Sequence, residues 1–337
     1  MPRIRSLVVA GLAACASLVI AAPAMAGKSH LTGVYKVEKH VDLDGEGADY
    51  TISCQSGDIA LDGMWRIDNV DQDNDYEPSP PPGFGTTGSY LWDNLESVFV
   101  DKAEATAPGT YTFSFTPLGG GDVQLKLWLV CLPSPGPIAN GHSVTWNVSS
   151  LHTQDVALAS GGNTFTTTPA CSSTAPGEIM VGNGFDFTGG TAHVNQYKRE
   201  ATTPASRSYD VGFLSDSASP IPATPATNHQ RISWRCLEIR SNSTGSPAHR
   251  HRLVYYHKAV TKPVKQNLAQ TLSIDCGDHY KAIIGTWDFG GNFGFDKLWF
   301  LGMDPRPKTR AFKVLNADPT NPYNATFDAV CLKDRTT

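Results

Sequence analysis

Charge is scarce in this chain of 337 residues, of which only 18% are Asp, Glu, Lys or Arg. Sustained helical periodicity is also missing, since no segment repeats apolar residues every three to four positions for the length of a helix. Beyond residue 26 no apolar run approaches the roughly 20 residues that carry a helix across a bilayer. Nucleophile elbows, metalloprotease helices and phosphate loops are absent in any acceptable context. These gaps exclude a helical bundle, a helical membrane protein after export, and the enzymes that a local motif would announce. A glycoside hydrolase escapes that exclusion, because its paired carboxylates come from distant strands and leave no motif.

What is present suits strands joined by turns. There are 31 glycines and 23 prolines, with an ordinary 40% of apolar residues. The N-terminus carries Arg3 and Arg5, an apolar run from Leu7 to Ile20, and Ala24-Met25-Ala26 before Gly27. This layout predicts a secretory signal peptide over residues 1–26. Leu12-Ala13-Ala14-Cys15 is the competing pattern, in which Cys15 would be lipidated.

Removal of that segment leaves Cys54, Cys131, Cys171, Cys236, Cys276 and Cys331. An even number in an exported chain predicts disulfides, and no pair has the close spacing of a zinc knuckle or redox dithiol. The intervals Cys131 to Cys171 and Cys236 to Cys276 are both 40 residues, which points to a repeat. The cysteines then pair as 54 with 131, 171 with 236, and 276 with 331, although six cysteines permit 15 pairings.

The strands repeat with the cysteines. Tyr111, Phe113 and Phe115 correspond to Tyr209, Val211 and Phe213, then to Phe312 and Val314, all with period two. Leu127 and Leu129 precede Cys131 as Ile232 and Trp234 precede Cys236, and as Phe327 and Ala329 precede Cys331. Glycine-marked strands follow each first cysteine, at Ile59 to Trp65, Ile179 to Phe187 and Ala282 to Phe289, where glycine suggests bulges or close backbone approach. Leading strands are expected at Val34 to Val41, Val144 to Leu151 and Leu253 to Val260. With about six strands per repeat, the fold expected is all-β: three tandem, disulfide-stapled antiparallel β-sandwich repeats over residues 27–140, 141–248 and 249–337. A single three-fold pseudo-symmetric β domain is the alternative.

Cys171, Pro176-Gly177-Glu178, Gly182, Gly184, Pro204-Ala205-Ser206 and the Ile232 to Leu237 strand resemble a repeat found in uncharacterised exported bacterial proteins. Repeats 1 and 3 depart from that pattern around the proline and glycines. The resemblance implies a two-cysteine β module and brings no catalytic residue.

Charge is unevenly spread. Residues 27–140 hold 6 basic and 17 acidic residues, residues 141–248 hold 6 and 7, and residues 249–337 hold 13 and 8. In an elongated rod, an acidic first repeat and a basic third would favour head-to-tail association. Arg250, Arg252, Lys258, Lys262 and Lys265 lie close together in repeat 3. Export and overall acidity argue against nucleic acid and for an anionic polysaccharide or headgroup, should they share a face.

Asp71, Asp73, Asp75 and Glu77 alternate like the oxygen ligands of a calcium loop, though Tyr76 and Pro82 stand where an EF-hand needs glycine and glutamate. His249, His251, His257 and His279 cluster in sequence without a fourth ligand at zinc spacing. Trp92 follows the proline run, and Trp128 has opposite parity to Leu127 and Leu129, so either is a candidate aromatic face for a sugar or partner protein. No residue is singled out for catalysis. The sequence therefore points to a secreted or cell-surface binding, adhesion or structural protein. A secreted hydrolase is the alternative and a carbohydrate-binding protein the third reading.

Overall fold

The computed structural model describes residues 33–336 except 44–46, 68–97, 118–122, 136–141, 158–162, 175–176, 189–193, 202–208, 216–230, 246–250, 267, 291–297, 307, 317 and 319. Among the described residues the regular elements are β-strands, paired antiparallel. Repeat 1 supplies β1 (Tyr35–Leu43), β2 (Ala48–Ser53), β3 (Ile59–Ile67), β4 (Val98–Ala107), β5 (Thr110–Pro117) and β6 (Val123–Leu132). These divide into two three-stranded layers, β1-β6-β3 and β2-β5-β4.

Between repeats 1 and 2 lies β7 (His142–Thr145). Repeat 2 consists of β8 (His152–Asp155), β9 (Asn163–Thr167), β10 (Glu178–Asp186), β11 (Val194–Ala201), β12 (Tyr209–Ser215) and β13 (Arg231–Glu238). After β14 (Asn242–Gly245), repeat 3 follows with β15 (His251–Val264), β16 (Leu268–Asp275), β17 (Lys281–Asp288), β18 (Leu298–Pro305), β19 (Thr309–Asn316) and β20 (Tyr323–Thr336). Both later repeats divide as the first does, into β8-β13-β10 with β9-β12-β11, and β15-β20-β17 with β16-β19-β18.

The layers join across repeats. Sheet I runs β1-β6-β3-β18-β19-β16, sheet II runs β2-β5-β4-β10-β13-β8, and sheet III runs β15-β20-β17-β11-β12-β9. Each sheet is thus shared by two repeats, and the three junctions, β3 with β18, β4 with β10 and β11 with β17, close a ring. The chain is all-β, as its composition and alternation indicate, and its connectivity has the three-fold pseudo-symmetry of the alternative arrangement. One consequence concerns charge. The acidic first repeat and the basic third meet in sheet I, rather than standing at opposite ends of a rod.

All three expected cysteine pairs are bonded. Each first cysteine closely follows an edge strand, and each second lies within β6, β13 or β20, so Cys54–Cys131 joins sheets I and II, Cys171–Cys236 joins II and III, and Cys276–Cys331 joins III and I. The sequence separations, 77, 65 and 55 residues, make each bridge a strong restriction on the unfolded chain.

The glycine-marked strands β3, β10 and β17 bulge at matching places, between Ala60 and Asp62, Val181 and Gly184, and Ala282 and Ile284. Just past each bulge comes an aromatic residue, Trp65, Phe185 or Trp287, opposite the residue four before the second cysteine. These aromatics gather from all three repeats. Trp65 meets Phe185 edge-on at 6.2 Å and Phe300 at 6.0 Å, while Trp287 stacks on Phe300 at 3.6 Å. The junctions need close backbone approach, and glycine provides it. A Cβ on Gly184 would lie 2.0 Å from the carbonyl oxygen of Ala103, and one on Gly302 would lie 2.3 Å from that of Trp65.

One expected strand falls elsewhere. In repeat 2 the strand equivalent to β1 and β15 is β8, not Val144 to Leu151. Residues 142–145 instead form β7 and pair with β14 in a separate ribbon. Val148 makes only an isolated bridge to Leu237.

Candidate functional site

Where the start of β1 passes the start of β17 and the β18–β19 turn, a shallow groove, partly open to solvent, separates repeats 1 and 3. Its polar lining is Tyr35, Lys36, Lys281, Arg306 and Arg310, with Val130 and Ala282 among the apolar walls. Among the described lining residues are four cations and no carboxylate. Lys36 bonds Glu38 at 3.0 Å, and Arg306 donates from Nε to Asp304 at 3.4 Å, so two of the four share their charge with acids outside the groove. Asp304 also accepts from Arg66 of repeat 1 at 3.2 Å.

Tyr35 is fixed in place. Its hydroxyl donates to Asp58 at 2.6 Å and accepts from the backbone N–H of Gln55 at 2.7 Å. Burial, with the Asp58 carboxylate beside it, pushes the phenol up to about 12. Asp58 in turn accepts from the Ser134 N–H at 2.9 Å, so its charge is spent on the framework. Burial would raise Glu38, but the hydrogen bonds with Lys36 and His40, with the charge of Lys36, outweigh it and hold the carboxyl down to about 2.

The three repeats supply an internal control for this groove. In β17, Lys281 lies opposite Leu332, the residue after Cys331. Ile59 lies opposite Leu132 and Ile179 opposite Leu237, the same positions in the other repeats. Arg310 lies opposite Ile274, two residues before Cys276, as Tyr111 lies opposite Ile52, two before Cys54. In repeat 2 the matching place, beside Thr168, is held by Tyr209. Tyr111, Tyr209 and Arg310 are all fully buried. The matching positions hold isoleucine and tyrosine in the other repeats, so lysine and arginine here are particular to repeat 3.

The junction of repeats 1 and 2 in sheet II is charged too, but balanced. Arg231 grips Glu104 with two bonds, Nε at 3.2 Å and Nη2 at 3.0 Å, and approaches Asp186 at 3.4 Å. Lys102 bonds Asp186 at 2.8 Å. Burial would raise Asp186, but the hydrogen bonds from Lys102 and Thr188 keep its carboxyl below the ordinary value. Glu104 and Asp186 are buried, and two cations face two carboxylates.

The residues singled out from sequence fall as follows. Asp71, Asp73, Asp75, Glu77 and Trp92 lie outside the described residues. Trp128 presents no open face: it is 2% exposed, with Arg66 at 5.2 Å and Lys36 at 6.0 Å from its ring. Arg252, Lys258 and Lys262 have one parity along β15 and Lys265 follows its end, while Arg250 lies outside the described residues. His251 is buried, and Nδ1 of His257 meets Asp328 at 3.1 Å. Among the described residues the one group with metal-ligand proximity is Cys171, Glu178 and Cys236, whose sulfurs are joined in a disulfide.

None of the groove cations was legible as a site residue. The available signal was a mismatch: aligning Phe312 with Phe113 sets Arg310 against Tyr111. No known protein-family model and no curated protein matches this chain.

Proposed function

We propose that this chain is an exported, non-enzymatic binding protein of the cell surface or its surroundings, acting in adhesion or envelope structure. The observation that carries the reading is the groove between repeats 1 and 3, where four cations and no carboxylate are among the described lining residues. Such an arrangement holds a negative group; it offers no carboxylate pair to move protons on a glycosidic bond. Three disulfides suit an oxidising compartment. No helix among the described residues is long and apolar enough to cross a membrane. The ring brings the acidic and basic repeats together in sheet I within one molecule.

The test has two parts. Fractionation of the producing cell should find the protein outside the cytoplasm with its cysteines oxidised. The purified protein should be retained by an immobilised acidic polysaccharide and not by a neutral one, without releasing new reducing ends. Steady release of reducing ends would mark a hydrolase and overturn the reading.

A further inference from the structure

We infer that one face of β15 is a docking strip for a linear acidic polysaccharide, whose carboxylates meet Arg252, Lys258 and Lys262 while one sugar ring lies against Tyr256. The inference rests on the reading of the chain as a binding protein, and it names the residues that hold the polymer.

β15 is the end strand of sheet III, with β20 as its neighbour in that sheet. Alternation puts Arg252, Val254, Tyr256, Lys258, Val260 and Lys262 on one face. Opposite Val254, Tyr256, Lys258 and Val260, and so on that same face, stand Lys333, Cys331, Ala329 and Phe327 of β20. The last three are buried in the core of repeat 3, so β15 forms the rim of that core. Arg252 and Lys258 are exposed there, and Lys262 is half-buried. Tyr256 is 36% exposed, and no other large hydrophobic side chain among the described residues is exposed.

This tyrosine is held rather than loose. Its hydroxyl donates to the carbonyl oxygen of Cys276, and its ring meets Tyr280 edge-on at 4.8 Å. Lys333 sits 4.9 Å from the centre of the Tyr280 ring, and Lys258 donates to the carbonyl oxygen of Asp275. Both partners are neutral, so the two ammonium groups are positioned with their charge intact. Two carboxylates stand near the β16–β17 turn, and both are engaged: Asp275 accepts from the N–H of Gly277 at 2.8 Å, and Asp278 pairs with Lys308. β15 itself contains no acid.

The other repeats show that the corner is particular to repeat 3. Tyr35 lies opposite Cys131 as Tyr256 lies opposite Cys331, but Tyr35 gives its hydroxyl to Asp58. The place of Asp58, just before the residue opposite Leu132, is taken in repeat 3 by Tyr280. In repeat 2 the two places hold Ser149 and Glu178. An acid-bound tyrosine in the acidic repeat has become a tyrosine pair in the basic one.

Shape and charge select the occupant. From Arg252 to Lys262 the strand runs roughly 33 Å, which suits an extended polymer better than a compact ion. The cations favour a polyanion, and a fixed aromatic ring among them suits a sugar, which has an apolar C–H face and a polar edge.

The experiment titrates the whole oxidised protein with polygalacturonate, with dextran as a neutral sugar polymer, and with polyacrylate as a polyanion that lacks sugar rings, all at one ionic strength. Binding is read by calorimetry and folding by melting temperature. The variants are Tyr256→Ala, Tyr256→Phe, the double change Arg252→Gln with Lys262→Gln, and Lys281→Ile in the groove. The wild type should bind polygalacturonate at least roughly tenfold more tightly than either comparator. Tyr256→Ala should lose about tenfold on polygalacturonate, the scale of one stacked ring, and Tyr256→Phe, which keeps the ring without its hydroxyl, less than about threefold. The double variant should lose roughly tenfold or more, and Lys281→Ile should bind as the wild type does.

Because the double variant removes only surface charge, it should melt with the wild type, and it decides the matter if Tyr256→Ala unfolds. Unchanged affinity in the double variant overturns the inference, as does wild-type binding of polyacrylate as tight as that of polygalacturonate. If the wild type binds polygalacturonate and only Lys281→Ile is weakened, the chain is a binding protein that uses the groove, and the strip falls alone. If the wild type binds no acidic polysaccharide, both conclusions fall.

Discussion

Along sheet II, where repeat 1 meets repeat 2, Lys102 and Arg231 face Asp186 and Glu104. Where repeat 1 meets repeat 3, Lys36, Lys281, Arg306 and Arg310 line a groove, with Lys36 paired to Glu38 and Arg306 to Asp304. Both junctions rely on a glycine to admit the neighbouring backbone, Gly184 in one and Gly302 in the other. The difference lies in electrostatics. Buried charge must be matched within the fold, because desolvation makes an unpaired ion expensive. The second groove is partly open to solvent, where charge costs less than in the buried first junction. The buried junction therefore reads as framework and the open one as the candidate for function.

The coarsest way to break that comparison is to loosen both junctions at once. Replacing Cys54 and Cys131 together by serine removes a bridge with a sequence separation of 77 residues, joining the two sheets that repeat 1 supplies. Chain entropy puts the expected loss near 4 kcal/mol, measured as the difference in urea unfolding free energy. A loss under about 1 kcal/mol would mean that the ring is held by packing alone.

Glu104→Ala acts on the balanced junction only. It leaves Arg231 without its bidentate partner, and should cost about 3 kcal/mol, the range for breaking a buried pair. Lys281→Ile, in the open groove, should leave stability within about 0.5 kcal/mol of the wild type. Equal losses in the two variants would erase the distinction between framework and function.

The smallest expected effect is in alkali. The Tyr35 phenol titrates near 12 when folded and near 10 when unfolded, so the folded state holds its proton more tightly. Its contribution is complete below pH 10 and declines as the pH rises from 10 to 12. Thermal melts at pH 9 and 11.5 should show a larger drop for wild type than for Tyr35→Phe. An equal drop would show that the Tyr35–Asp58 contact at the groove wall contributes nothing.

Much of the framework was readable from residue order. Alternation at Tyr111, Phe113 and Phe115 does mark a strand, with all three rings buried, because period two aims every second side chain the same way. Parity misled at Trp128. Opposite parity to Leu127 and Leu129 implies exposure only for a strand with one wet face, whereas β6 runs buried from Leu127 to Leu132 on both faces. The β8 strand was missed because its residues, His152 to Asp155, carry no apolar alternation, while Val144 to Leu151 does at both ends.

Local order and cysteine spacing determined the class, the six-strand repeat and the three disulfide pairs, since each depends on residues whose pattern recurs along the chain. Tertiary structure alone decided that the repeats share sheets, because the pairing of β3 with β18 joins residues some 240 positions apart and leaves no local trace. It alone decided the groove as well. Lys36, Lys281, Arg306 and Arg310 look like ordinary surface charge in the sequence, and only closure of the ring turns four scattered cations into one cleft.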